Sequence, residues 1–579
     1  MQSVEGTAFV RFVAPAASAS VTASSRTAIK DAARLRTRHA DATAPADSAL
    51  ARRETFLFRS QSRVMMLAPI TPPTIPSATP LAALTAHSVH AALYDDTSVE
   101  LVVRRALRKG TREGFISDAE ERSVVASAVF GTAVLRARLS WMLFCVQKRA
   151  QEPARAGIAT SDAKSRQLDA SMLLLALFLL HEEPQRVKAD SMRALLPPES
   201  LGLPAGSLRA LSNLDVESIR WPSAVVPRLA SRYSLPHGLV RMLANQDLRA
   251  DEVAALARSF NRPGPVTLRA NLRVLPAGRD ELVKSLTKQG VACRAGELSP
   301  WSVVLEAGTR SSWGGSVWNL PAWKDGECEL QDEGSQCVVL ACEAVAGETV
   351  LDLCAGNGGK ALALAALVGP SGAILAHDVV GSRLATLRAS AERARVSPTI
   401  RTVATADDAW QSLEDPGGAK EELRPLATAS RQMAPLGHDI VLVDAPCSSS
   451  GTLRRHPGLR WSGAWSDGGA MERRQLPALQ LKLLRRAASF VRPGGRLVYA
   501  TCSLDPAENE EVAAAFEADS GGATSARFVP WPFAEGEVGG HDATHAQDGK
   551  KQRAHCRTLW PHKHGTDGFF IARWRASPG

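Results

Sequence analysis

The spacing of hydrophobic and polar positions changes character twice along the chain. From residue 84 to about 255 apolar residues recur three and four apart, as at Val124, Val125, Val129 and Leu135, which predicts helices with one buried face. Val99–Leu107 reads as one such helix, and Asp118 stands where a side chain would cap a long helix running on to Leu143. At Arg262-Pro263-Gly264-Pro265 the pattern breaks. Val266–Asn271 then alternates like a strand, Arg279–Gly290 reads as a helix stopped by its glycine, and Trp301–Leu305 as a second strand. After a helix expected at 335–342, short apolar runs alternate with helical patterns. Strands are predicted at 349–353, 373–377, 400–404, 439–443 and 496–500, and helices at 359–368, 381–394 and 474–490. Strands alternating with helices predict a parallel sheet with crossover connections. Residues 411–437 and 518–557 read as long irregular insertions.

These shifts divide the chain into an extension at 1–83, an all-α part at 84–255, a small α/β part at 264–330 and a larger α/β domain at 331–577. The extension is rich in Ala, Ser, Thr and Arg, and Pro69–Pro76 excludes regular structure. Its composition is that of an organelle transit peptide, for a chloroplast or mitochondrion, with an unaddressed tail on a cytoplasmic protein as the alternative. The longest apolar run, Met172–Leu180, is flanked by Asp169 and His181 and is too short to cross a membrane. No membrane association is expected.

Charge and cysteine content narrow the partners. A net charge of +10 fits a polyanion such as RNA. Nine cysteines with no CxxC pair exclude a disulfide framework and leave no zinc site, so no metal is expected. Arg104, Arg105, Arg108 and Lys109 cluster at one helix end, as RNA contacts or simply as a solvated face.

Three strand ends in the larger α/β domain carry the candidate chemistry. The first strand runs into Cys354-Ala355-Gly356-Asn357-Gly358-Gly359-Lys360. The run Ile440–Val443 ends in Asp444-Ala445-Pro446-Cys447, and Arg496–Ala500 ends in Thr501-Cys502-Ser503. A lone cysteine at a strand end reads as a small buried hydrophobe; three such motifs on one sheet edge read as a site, because these folds bind ligands at the carboxyl ends of their strands. The glycine turn lets a ligand approach the backbone, and the helix it opens offers free N–H groups. It is not a P-loop, since no GK[ST] follows. Asp378 ends the second strand, where a carboxylate can accept from ribose hydroxyls. Asp407 follows the third strand and suits an adenine amino group, or is an exposed loop acid. Arg454, Arg455 and Arg460, next to Trp461, suit a phosphate backbone and a stacked base, or form a solvated basic loop.

The runs DLCAGNGGK, VDAPCSSSGTLRRHP and YATCS, with DPAENE following, resemble the RNA (cytosine-5) methyltransferase family, and most of all its bacterial small-subunit ribosomal RNA methyltransferase B branch, over residues 85–577. The resemblance implies a Rossmann-like catalytic domain that binds S-adenosylmethionine through 354–360, Asp378, Asp407 and Asp444. It also implies an antitermination-factor-like RNA-binding domain before it and an RNA-recognition-like subdomain at 264–330. In that family the Thr-Cys residue, here Cys502, adds to C6 of cytosine and the Pro-Cys residue, here Cys447, assists release. Asp444 then sits at the N3/N4 edge of the base. DNA methyltransferases attack through Pro-Cys instead, which would make Cys447 the nucleophile. The chain departs from the family at Gly356-Asn357, where Ala-Pro is usual and a looser loop is expected. The implied partner is small-subunit ribosomal RNA, bound by a monomer; transfer or messenger RNA, or a non-catalytic role in ribosome assembly, are the alternatives.

Overall fold

The computed structural model describes residues 79–95, 98–150, 163–182, 189–246, 248–306, 317–405, 424–461, 465, 470–518, 528–534, 536–538 and 553–578. The expectations for residues 1–78 and for Asp407 lie outside the described residues.

Helices Pro80–Tyr94, Val99–Arg112, Ala119–Val134, Arg136–Ala150 and Ala163–His181, with shorter helices up to Ser212, share one core around Val89, Val125, Val129, Leu175 and Phe178. Asp118 caps as expected, its side chain accepting from Glu121 N at 2.8 Å. The long helix from Asp118 does not run on to Leu143. It breaks at Leu135, and its two arms are bent by 74°. The cause is Ser234, whose hydroxyl accepts from Ala137 N at 3.0 Å and donates to Val134 O at 2.8 Å. An inserted side chain that satisfies the freed backbone groups is a standard origin of a sharp helix bend. Among the described residues no single helix is long and apolar enough to cross a membrane.

The helical part is also less uniform than its periodicity predicts. Helices Val225–Tyr233, His237–Ala244 and Ala250–Phe260 form a second core, and they share it with Leu453, Trp465 and Leu504, which follow the Pro-Cys and Thr-Cys motifs. The last of these helices runs past the expected end at 255.

Strands β1 (Val266–Ala270), β2 (Cys293–Ala295), β3 (Ser302–Leu305) and β4 (Cys328–Leu330) make a small antiparallel sheet in the order β2-β3-β1-β4. Helix Arg279–Lys288 closes its core through Leu282 and Leu286.

The main sheet contains β5 (Thr349–Asp352), β6 (Ala373–Asp378), β7 (Ile400–Ala404), β8 (His438–Asp444), β9 (Val491–Thr501), β10 (Phe528–Pro530), β11 (Cys556–Leu559) and β12 (Phe569–Ala576). Its order is β10-β12-β9-β8-β5-β6-β7, with β11 paired to β12. The strands β5 to β9 pair in parallel and β12 lies antiparallel to β9. Side-chain alternation puts Val350, Ile440, Leu442 and Val498 into one apolar layer and Leu351, Val441, Val443 and Leu497 into the other. Both faces are buried, so these strands read as continuous apolar runs. The chain winds outward from β5 to β7, then returns to place β8 on the other side of β5. The crevice at the carboxyl ends of β5 and β8 is therefore the topological switch point.

Candidate active site

Each of the three strand-end motifs opens onto this crevice. After β5 the chain turns at Gly356 (φ 56°) and Gly358 (φ 90°) into helix Gly359–Val368. Gly358 is required twice over: its φ suits glycine, and a Cβ there would lie 2.4 Å from Leu387 Cγ. The Gly356-Asn357 turn is not loose. Asp378, at the end of β6, accepts from Gly356 N at 2.9 Å and from Val380 N at 2.7 Å, and Gly358 N donates to Ala355 O at 2.9 Å. From the small sheet, Arg269 donates to Gly359 O at 2.6 Å.

Lys360 is buried at the start of that helix and meets Asp444, at the end of β8, at 2.6 Å. Burial pushes the ammonium pKa down, but the Asp444 carboxylate and its hydrogen bond outweigh this and hold Lys360 charged. Its ammonium also stands 5.3 Å from the Phe569 ring centroid.

Cys447 and Cys502, separated by 55 residues of chain, come to 3.3 Å Sγ to Sγ. Cys502 Sγ also lies 3.4 Å from Ser449 Oγ. The hydrogen bond from Cys447 lowers the Cys502 pKa, with Ser449 and Lys360 adding to it, against burial and Asp444. The same hydrogen bond raises Cys447, helped by burial, by Cys502 itself and by Glu508. The two shifts run in opposite directions, which makes Cys502 the more acidic thiol of the pair. Cys354, at the start of the glycine turn, is pushed well up by burial and nearby carboxylates, so its thiol stays protonated.

Two groups that pattern reading left out stand out here. Asp352, the last residue of β5, is 1% exposed, and its carboxylate oxygens make no well-formed hydrogen bond. Burial raises its pKa to about 7; Asp444 adds to this, while Lys360 and the nearby Cys354 N–H oppose it. Asp352 has the same signature as Asp444, an acid closing an apolar run, so the sequence did contain the signal. Glu508 is fully buried between the two cysteine loops; it lies in the DPAENE run that follows the Thr-Cys motif, where pattern alone gives it no role of its own.

The basic loop needs a correction. Arg454, Arg455 and Arg460 do not line an open RNA groove; they are internal ties. Arg454 Nε meets Asp567 at 2.7 Å, and Arg455 is paired with Asp332 and Asp567 while donating to Pro265 O at 3.0 Å. Arg460 is wholly buried and donates to Asn261 Oδ1 at 2.7 Å, Phe260 O at 2.9 Å and Ser234 O at 3.3 Å. A guanidinium fork fits several fixed acceptors at once, and here all of them belong to the protein.

The crevice suits a cationic cofactor held by backbone groups. A Cβ at Gly356 would meet nothing within 4 Å and one at Gly359 only Gln331 Nε2 at 3.6 Å, so the turn is an open cradle. The carboxylates of Asp352, Asp378 and Asp444 close around it, one of them without a well-formed donor. This strand order, with a glycine turn after its central strand and acids at the neighbouring strand ends, defines an S-adenosylmethionine-dependent methyltransferase. Residues 339–575 match the family model described as 16S rRNA methyltransferase RsmB/F. The chain is 30% identical over 371 residues to the Bacillus subtilis (strain 168) protein named "Probable ribosomal RNA small subunit methyltransferase B", which covers 64% of this chain and 72% of that relative. It is 26% identical over 463 residues to ribosomal RNA small subunit methyltransferase B of Serratia proteamaculans (strain 568), covering 79% of this chain and 91% of that one. The solved structure of PH0851 shares the fold, with a TM-score of 0.57 and 22% identity over 86% of this chain and 99% of its own. The chain belongs to the RsmB/F family of methyltransferases.

Proposed function

We propose that this methyltransferase acts on C5 of a cytosine in small-subunit ribosomal RNA, through a covalent bond between Cys502 and C6 of the base. The observation that carries the reading is the contact of Cys447 and Cys502 at 3.3 Å, beside the Lys360–Asp444 pair. Carbon 5 of cytosine is a poor nucleophile. Addition of the Cys502 thiolate to C6 makes the ring an enamine, whose C5 is nucleophilic. Bound S-adenosylmethionine supplies the methyl group. Asp444 stands at the crevice mouth with its side chain 30% exposed, the one member of its ion pair that can meet the N3/N4 edge of a base. Lys360 fixes that carboxylate and adds positive charge near Cys502. The C5 proton then passes to solvent as the C6–S bond breaks and Cys502 leaves as its thiolate, and we assign Cys447, 3.3 Å from Cys502, to assist that release. A target base within folded RNA has to be flipped out to reach the thiols. The substrate class rests on family membership and on the relatives' names.

The two cysteines separate experimentally. Cys502→Ala should form no adduct and transfer no methyl group. Cys447→Ala should attack, methylate and stall, running as a protein–RNA band on a denaturing gel. A trapped adduct in Cys502→Ala and none in Cys447→Ala would reverse the assignment.

A further inference from the structure

The catalytic cysteines sit on loops with no covalent connection near the site, yet their sulfurs touch. Direct contacts join the loops, Gly451 N donating to Cys502 O at 2.9 Å and Leu504 N to Ser450 Oγ at 2.8 Å, and a buried carboxylate reaches both loops as well. The Glu508 carboxylate accepts from Ser448 N, next to Cys447, at 2.9 Å and from Ser503 Oγ, next to Cys502, at 2.7 Å. It also accepts from Gln480 Nε2 at 3.0 Å, and Gln480 donates in turn to Pro446 O at 2.9 Å. Glu508 is itself held, since its carbonyl accepts from Tyr499 Oη at 2.6 Å. Its neighbour Asn509 brackets Cys502, accepting from Thr501 Oγ1 at 2.6 Å and donating to Ser503 O at 2.9 Å.

We propose that Glu508 is a positioning residue for this reaction: one buried carboxylate clamps the Pro-Cys loop to the Thr-Cys strand end and so holds Cys447 and Cys502 at contact distance. The inference rests on the reading that both thiols act on the same base. The carboxylate accepts only from neutral donors, and these hydrogen bonds compensate for its burial. An amide could keep this geometry, its oxygen on Ser448 N and its N–H₂ on the Ser503 hydroxyl, which can accept, so alanine is the variant that removes the clamp. Glu508 also acts on a thiol: it raises the Cys447 pKa, after the Cys502 hydrogen bond, burial and Cys502 itself.

The test uses the full chain without RNA. In Glu508→Ala, diamide should form the Cys447–Cys502 disulfide more slowly than in the wild type, by roughly threefold to tenfold, as expected when a preset contact is loosened. Alkylation of Cys447 by iodoacetamide, followed by peptide mass spectrometry across pH 6–9, should move to lower pH. At neutral pH its rate should rise about threefold to tenfold once the neighbouring charge is gone. A merely structural role would not shift that profile. If Glu508→Ala does not fold, Glu508→Asp keeps the carboxylate and shortens its reach, and it must slow the cross-link. Cross-linking and alkylation profiles like those of the wild type in a folded variant overturn the proposal. The order of alkylation in the wild type tests the prior reading separately. If Cys447 reacts before Cys502, the nucleophile is misassigned, and the clamp is still decided by the cross-linking rate.

Discussion

Asp352 permits a prediction whose size follows from the structure. Its carboxyl is buried at the sheet edge, and burial, reinforced by Asp444, raises its pKa from 3.8 to about 7. A carboxyl with a folded pKa above its unfolded one binds its proton more tightly when folded. Its contribution is therefore fully favourable below about pH 4 and is lost as pH rises towards 7. At about 1.4 kcal/mol per unit, the full penalty above pH 7 is about 4 kcal/mol, of which about 2 kcal/mol accrues between pH 5.5 and 7. In the cofactor-free protein Asp352→Asn should remove this dependence. The amide, left without good partners, costs about 1–3 kcal/mol of its own at every pH. The difference in stability, variant minus wild type, should thus climb by about 2 kcal/mol from pH 5.5 to 7 and stay level above. Thermal unfolding of both proteins at half-unit steps measures it. A cationic ligand favours the ionised acid, so wild-type affinity for S-adenosylmethionine should rise with pH through the same window, and the variant's should not. A stability difference that stays flat, or falls, as pH rises would show that Asp352 is ionised throughout and that its burial has been misjudged.

The other tests address the cofactor turn and the arginine ties. Asp378→Ala removes the acceptor for Gly356 N and Val380 N, and should weaken S-adenosylmethionine binding by about 1.5–3 kcal/mol in calorimetry; unchanged affinity would mean the turn holds its shape without this acid. Arg460→Ala leaves Phe260 O, Ser234 O and Asn261 Oδ1 without their donor, and should cost about 3 kcal/mol in thermal unfolding while leaving the salt dependence of RNA binding unchanged. A shallower salt slope with normal stability would restore Arg460 as a phosphate contact.

What pattern reading could see depends on where each partner lies. The parallel strands were legible because both their faces are buried, leaving apolar runs such as Ile440–Val443, and the Asp118 cap because its partner is three residues away. The two cysteine motifs were legible as strand ends, although only the fold reveals that they touch. The helix break at Leu135 was not, because it is made by Ser234, on a separate helix end. Strand β12 carries Arg573 through an apolar layer, where Glu537 pairs with it at 2.6 Å and Trp531 and Phe533 flank it. A charge in that position hides the strand. Local sequence makes Arg454 and Arg455 look solvent-facing; Asp332 and Asp567, more than a hundred residues away, make them internal.

The correction to the basic loop changes how the lobes are understood to cooperate. The segment following Cys447 reaches every part of the described structure. Arg455 holds the linker carbonyl at Pro265, ahead of the small sheet, and Arg460 holds the helical ends at Ser234 and Phe260. Ser234 is also the residue whose hydroxyl bends the bundle at Leu135, and Arg136, just past that bend, stacks over Trp461 at 4.0 Å. On the other cysteine loop, Gln246 donates to Leu504 O at 2.8 Å. Helical lobe and thiols are thus joined by short, buried, directional contacts. Arg460 has only neutral acceptors, and burial lowers its pKa to about 9, which still leaves it charged at neutral pH. Contacts of this kind are barely screened by salt, so the lobe should keep its orientation towards the cysteines under conditions that release RNA. Arg105, Arg108 and Lys109 on helix Val99–Arg112 are exposed, whereas the arginines behind the Pro-Cys motif are taken up with holding the lobes in place.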